Sequence, residues 1–139
     1  MTGLFATPAA PVPVLALGDV LLVTLQGELH DGEAEQLQHD VAHRIASGPA
    51  PVGGVVIDIS GVDMVDSFLG RVLAEIAASA RLLATRTVLA GMRPAVAITL
   101  VELGLTLPGM TTALDVDRAL SLLDRAPSPA PPARPEEGA

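Results

Sequence analysis

The sequence predicts an α/β domain: a mixed β-sheet of about four to five strands with about four helices. Three observations point there. Short apolar, β-branched runs alternate with segments whose apolar residues recur at helical spacing. One run, "GGVVIDIS" from Gly53 to Ser60, is apolar at successive rather than alternate positions, as a central strand buried on both faces requires. The chain has 139 residues, half of them hydrophobic, which is enough for one compact core and little more.

Each element follows from local pattern. Val12–Leu17 and Val20–Gln26 are β-prone stretches flanking Gly18-Asp19, a tight-turn pair. From His30 to Ser47 the spacing becomes helical: Ala34, Leu37, Val41 and Ile45 form one stripe. Asp31 is placed to cap that helix, and Gly48-Pro49 ends it. The central strand covers Val55–Ile59. The next helix starts near Asp66, with an apolar stripe of Leu69, Val72, Leu73, Ile76, Ala80 and Leu83. "RTVLAG" is a strand. "RPAVAITLVELG" is a helix, with Pro94 at its first position and Gly104 at its stop. "LPGMTTAL" holds a loop and a short edge strand, and "DVDRALSLLDR" is a last helix capped by Asp115. The predicted order is β-β-α-β-α-β-α-(β)-α. It defines a domain over residues 12–125, behind a flexible N-terminus (1–11) and ahead of a Pro/Ala-rich tail (126–139) expected to be disordered.

Composition removes several function classes. The only aromatic residues are Phe5 and Phe68, too few for base stacking. Net charge is −8 and all the basic residues are Arg, so phosphate backbones and anionic membranes are repelled. No cysteine is present, which excludes disulfides, thiolate nucleophiles and Cys zinc sites. The N-terminus lacks a basic region and carries prolines, unlike a signal peptide. No apolar run reaches the roughly 18 residues of a membrane span. A cytoplasmic protein without nucleic-acid or membrane partners is expected. The mean hydropathy of +0.51 suggests surface buried in an oligomer or complex.

The chemistry concentrates in "VDMVDSFLGRVLAEI", Val62 to Ile76. Asp66 suits an N-cap, and Ser67 then occupies the first helical position. Free backbone N–H groups and the helix dipole favour added negative charge there, by roughly 0.3–1 kcal/mol near a surface. A phosphate on Ser67 is thus compatible with the helix. Beside Asp66 and Asp63 it makes an anionic knob, felt by a docked partner as repulsion and a steric block. Gly70 lies on the same side of the helix and is expected to keep that surface flat. Arg71, four residues on, is within reach of a phosphate one turn away. The partner-binding set is Asp63, Asp66, Ser67, Phe68, Gly70 and Arg71. Local physics also admits a plain helix-start serine, the commoner case.

Other chemistries find less support. Ser67 has no Gly-x-Ser-x-Gly elbow, and His30, His39 and His43 all belong to the first helix or its start, so a hydrolase is not indicated. Glu35, His39 and His43 fall at i, i+4 and i+8, a possible metal stripe. It lies opposite Leu37, Val41 and Ile45, however, and reads as a solvated face. "SGPAPVGG" ends a helix and leads into a strand, the reverse of a phosphate loop. No cofactor and no metal are expected.

Three pieces, "LQGELHD", "VDMVDSFLGRVL" and "VLAGMRPAVAITLVELG", carry a resemblance to the STAS domain family, the anti-sigma-factor-antagonist fold. Within it, the chain resembles RsbS-type stressosome scaffolds over about Val12 to Asp124. Antagonists generally carry their phosphoacceptor in an Asp-Ser-Ser/Thr-Gly type motif. Here the run is Asp66-Ser67-Phe68-Leu69-Gly70, a displaced glycine that suits the scaffold type. The resemblance implies a non-enzymatic protein whose Ser67 is phosphorylated by an RsbT-type serine kinase. It implies co-assembly with RsbR-type STAS sensor proteins into a large homo- and hetero-oligomeric stressosome that holds the kinase and releases it on phosphorylation. It also implies resetting by an RsbX-type phosphatase. Thr99 corresponds to a region where RsbR-like relatives can carry a second phosphosite, although its apolar neighbours favour helix packing. The alternative is a stand-alone anti-sigma-factor antagonist that binds a kinase-fold anti-sigma factor one-to-one.

Overall fold

A computed structural model describes residues 12–105, 107 and 109–124. The expected N-terminal and C-terminal flanking segments lie outside the described residues. The element order is β1 (Val14–Leu17), β2 (Val20–Gln26), α1 (Asp31–Ser47), β3 (Gly54–Gly61), α2 (Ser67–Leu82), β4 (Arg86–Ala90), α3 (Pro94–Glu102), β5 (Met110–Ala113) and α4 (Val116–Asp124). The strands form one mixed sheet in the order β1-β2-β3-β4-β5. β1 and β2 form an antiparallel hairpin. Gly18 takes φ 62 in its two-residue loop, a conformation open to glycine without steric cost. β2 to β5 run parallel, and α1, α2 and α3 are their crossovers.

Burial follows the pleat. Leu21, Val23, Leu25, Val55, Ile57, Ile59 and Leu89 point to one face and meet Ala34, Leu37 and Val41 of α1, Leu69, Val72, Leu73 and Ile76 of α2, and Val96 and Leu100 of α3. On the other face Val20, Val56, Val88 and Ala90 pack around Ala119 of α4, the one helix that covers that side among the described residues. β3 is buried on both faces, as its unbroken apolar run requires. Each fully buried Leu or Ile contributes about 1.5–3 kcal/mol of transfer free energy.

β3 is longer at both ends than the expected Val55–Ile59, and three other boundaries differ from the sequence expectation, each for a local reason. β1 starts at Val14, not Val12: Pro13 has no N–H to donate, and its carbonyl accepts from the Thr24 N–H at 3.3 Å. The N-cap of α1 is His30, not Asp31. The His30 carbonyl accepts the Ala34 N–H at 2.9 Å, and the His30 N–H donates to Glu33 Oε1 at 2.9 Å. Leu83 is exposed and lies past the last turn of α2, because the chain reverses through Ala84 at φ 61.

Candidate functional site

In a parallel sheet the loops leaving the carboxyl ends of the strands share one rim, where the helix N-termini also gather. Here the loops after β2, β3 and β4 meet at that rim. The loop between β3 and α2, Val62 to Asp66, is pinned by two buried valines, Val62 and Val65, while Asp63 and Met64 face water. Alternation of anchor and exposed residue gives the loop a fixed course. Met64 is 83% exposed, unusual for so large an apolar side chain.

Asp66 is the N-cap the sequence predicts. Its backbone is extended, its carboxylate accepts the Leu69 N–H at 2.9 Å, and its carbonyl accepts the Gly70 N–H at 3.0 Å. The helix therefore begins at Ser67, which is exposed. At this first helical position the Ser67 and Phe68 N–H groups have no acceptor within the helix. The hydroxyl lies in a donor-rich corner at the positive end of the helix dipole.

The other expected residues separate in burial. Asp66 and Arg71 are exposed, Phe68 is half-buried, and Arg71 makes no ion pair among the described residues. Gly70 is buried, which corrects the flat-surface expectation. A Cβ there would run into Leu105 Cδ1 and lie 3.6 Å from Leu100 Cδ2. The glycine lets the chain after α3 close onto the start of α2; it does not serve an exposed face. Thr99 is half-buried, with its hydroxyl donating to the Ala95 carbonyl at 2.9 Å, an interaction within α3. Glu35, His39 and His43 are all exposed along α1, the solvated face.

One residue at the rim has no counterpart in the sequence reading. Arg93, the N-cap residue of α3, donates from Nε to the Ser60 carbonyl at 2.9 Å and pairs with Asp63 Oδ1 at 2.6 Å. An exposed pair of this kind is worth only about 0–1 kcal/mol. Its effect is positional: it ties the loop bearing Asp63 to the loop before α3. An arginine ahead of a Pro-started helix gives no hint of its partner, because β3 and β4 must first pair.

Beside Ser67 the loops after β2 and β3 enclose a groove of about 410 Å³. Leu29, Met64, Val65, Phe68 and Leu69 supply apolar walls, and Glu28, Asp63 and Asp66 supply carboxylates. A second groove of about 300 Å³ shares Leu29 and Leu69 and opens toward Pro13 and Val62.

The fold has close counterparts among known proteins. The family model described as STAS domain matches residues 12–119. The RsbT co-antagonist protein RsbRC of Bacillus subtilis (strain 168) is 32% identical over 103 residues, 74% of this chain. The chain spans only 36% of the length of that curated relative. A solved structure of Moorella thermoacetica RsbS carrying a serine-to-glutamate substitution superimposes with a TM-score of 0.71 at 42% identity, covering 83% of this chain and 96% of that one. A chain from the molecular architecture of the stressosome, a signal integration and transduction hub, gives a TM-score of 0.70 at 44% identity, covering 81% of this chain and 96% of that one. The five-stranded mixed sheet with four helices is the fold of these neighbours. With the match running through nearly all of the described residues, the chain belongs to the STAS domain family.

Proposed function

We propose that this chain is a non-enzymatic, phosphorylation-switched scaffold of an RsbS-like stressosome. In this reading it sequesters an RsbT-type serine kinase and releases it when Ser67 is phosphorylated. The observation that carries the proposal is the placement of Ser67: exposed, at the first position of α2, beside Asp66 and two residues beyond the buried anchor Val65. Similarity above 40% to an RsbS and to a stressosome chain supports the scaffold over a one-to-one antagonist. So does a curated relative described as an RsbT co-antagonist, which also supports co-assembly with RsbR-type STAS proteins.

The step itself is a phosphoryl transfer. The Ser67 oxygen attacks the γ-phosphorus of ATP, the bond to the leaving ADP oxygen breaks, and the hydroxyl proton passes to a base on the kinase. The product carries about −1.5 to −2 charge near neutral pH. The kinase surface over Ser67 must itself present nucleotide phosphates and a catalytic carboxylate. The new phosphate therefore meets like charge at that point and fills the space the hydroxyl left open. Within the chain, the free N–H groups of the first turn of α2 and Arg71 one turn on favour the charge, so the fold is retained. An RsbX-type phosphatase would reverse the step.

The test is phosphopeptide mapping. Incubation with a purified RsbT-type kinase and ATP should give one major labelled peptide containing Ser67, and Ser67→Ala should abolish it. Full labelling of Ser67→Ala, at Thr99 for example, would refute the assignment.

A further inference from the structure

We infer that the groove between the β2–α1 and β3–α2 loops is the anchoring site for the kinase, and that it takes an apolar side chain flanked by arginine or lysine. This deepens the reading of Ser67 as a phosphorylation switch and rests on it. The groove opens at the same rim as Ser67, and its wall includes Phe68, the next residue along the helix.

Two features specify the occupant. Leu29, Met64, Val65, Phe68 and Leu69 make an apolar floor of a size that fits one large side chain. Met64 stands 83% exposed at its edge, as an anchor residue awaiting cover does. The charged groups lining the groove are Glu28, Asp63 and Asp66, all acidic. They are not equivalent. Asp66 is engaged by the Leu69 N–H and Asp63 by Arg93, whereas Glu28 is exposed and makes no ion pair among the described residues. Glu28 is therefore the carboxylate with charge to offer. A second copy of this chain, at net charge −8, is a poor electrostatic match for that rim, and a basic flank is a good one.

The arrangement separates holding from switching. The groove attracts a basic flank and grips an apolar anchor. The hydroxyl beside it faces the kinase's anionic nucleotide, where added phosphate repels.

The experiment measures the dissociation constant of a purified RsbT-type kinase for the full chain and for Met64→Ser, Glu28→Lys and Leu82→Ser, at low and moderate salt. All three positions are exposed, so folding should survive. Leu82 sits at the far end of α2 and controls for general loss of apolar surface. Met64→Ser and Glu28→Lys should each weaken binding about tenfold, the size of one anchor truncation. Glu28→Lys should also flatten the salt dependence, and Leu82→Ser should bind as the unsubstituted chain does. Unchanged affinity in both groove variants, with Ser67 still labelled, would overturn the groove and leave the switch standing. That is the result expected if the groove instead holds a small apolar ligand or a second copy of the chain. Equal weakening by Leu82→Ser would overturn it as well. Failure of the unsubstituted chain to bind the kinase or accept phosphate would remove both readings together.

Discussion

Ser67 and Gly70 sit three residues apart on one helix and answer to different demands. Ser67 is exposed at a point where the backbone welcomes negative charge; Gly70 is buried where another side chain needs its space. Both were visible as residue types in the sequence, but only the placement of Ser67 was legible. An N-cap Asp followed by Ser declares a helix start from adjacent residues alone. The neighbour of Gly70 is Leu105, thirty-five positions away and beyond a further strand and helix, so no local pattern announces it. The same holds for Arg93, whose partners Ser60 and Asp63 come from another loop. Close packing at Gly70 has a measurable consequence. Gly70→Val places a branched side chain against Leu105 and Leu100 and should lower stability by about 1–3 kcal/mol in denaturant unfolding, as overpacking does. An unchanged midpoint would show that the chain after α3 yields freely there.

The elements follow the sequence closely where side-chain periodicity decides them, and less closely at their ends, where one of the three predicted caps, Asp31, gives way to His30. Asp66 and Asp115 cap their helices as read, the Asp115 carboxylate accepting the Arg118 N–H at 2.8 Å. The end of α2 was not legible, because no glycine marks it. The Thr85 N–H bonds the Ala80 carbonyl at 2.8 Å and the Ala84 N–H bonds the Arg81 carbonyl at 2.9 Å, the paired bonds of a Schellman stop. That motif puts Ala84 at φ 61, a region costing an L-residue roughly 1–2 kcal/mol. Glycine there relieves the strain, while its greater freedom in the unfolded chain returns about 0.4–1 kcal/mol. Ala84 is exposed, so little packing is lost. Ala84→Gly should therefore stabilise by about 0.5–1 kcal/mol, raising the melting temperature by a few degrees. A lower melting temperature would contradict this account of the stop.

At the scale of the molecule, the alternation of strand and helix and the doubly buried β3 were enough to predict the layered fold, while its surfaces required the assembled chain. Among the described residues, three crossover helices crowd one side of the sheet and α4 alone covers the other. Large apolar side chains remain uncovered on β1 (Leu15, Leu17) and α3 (Ile98, Val101), with Val101 78% exposed. The hydropathy of the chain hinted at such surface without locating it, since periodicity tells which face a helix buries only once its neighbours are placed. Exposed apolar surface on several elements suits a subunit of a larger body, and under the proposed function the rim of Ser67 is the part turned toward a kinase. The most direct measurement is sedimentation velocity on a mixture of this chain, an RsbR-type STAS protein and the RsbT-type kinase, before and after stoichiometric phosphorylation of Ser67. The account predicts that the kinase travels with a fast-sedimenting particle before phosphorylation, and that afterwards the particle persists while the kinase moves to the slow boundary. A kinase that stays with the particle when every Ser67 carries phosphate would contradict it.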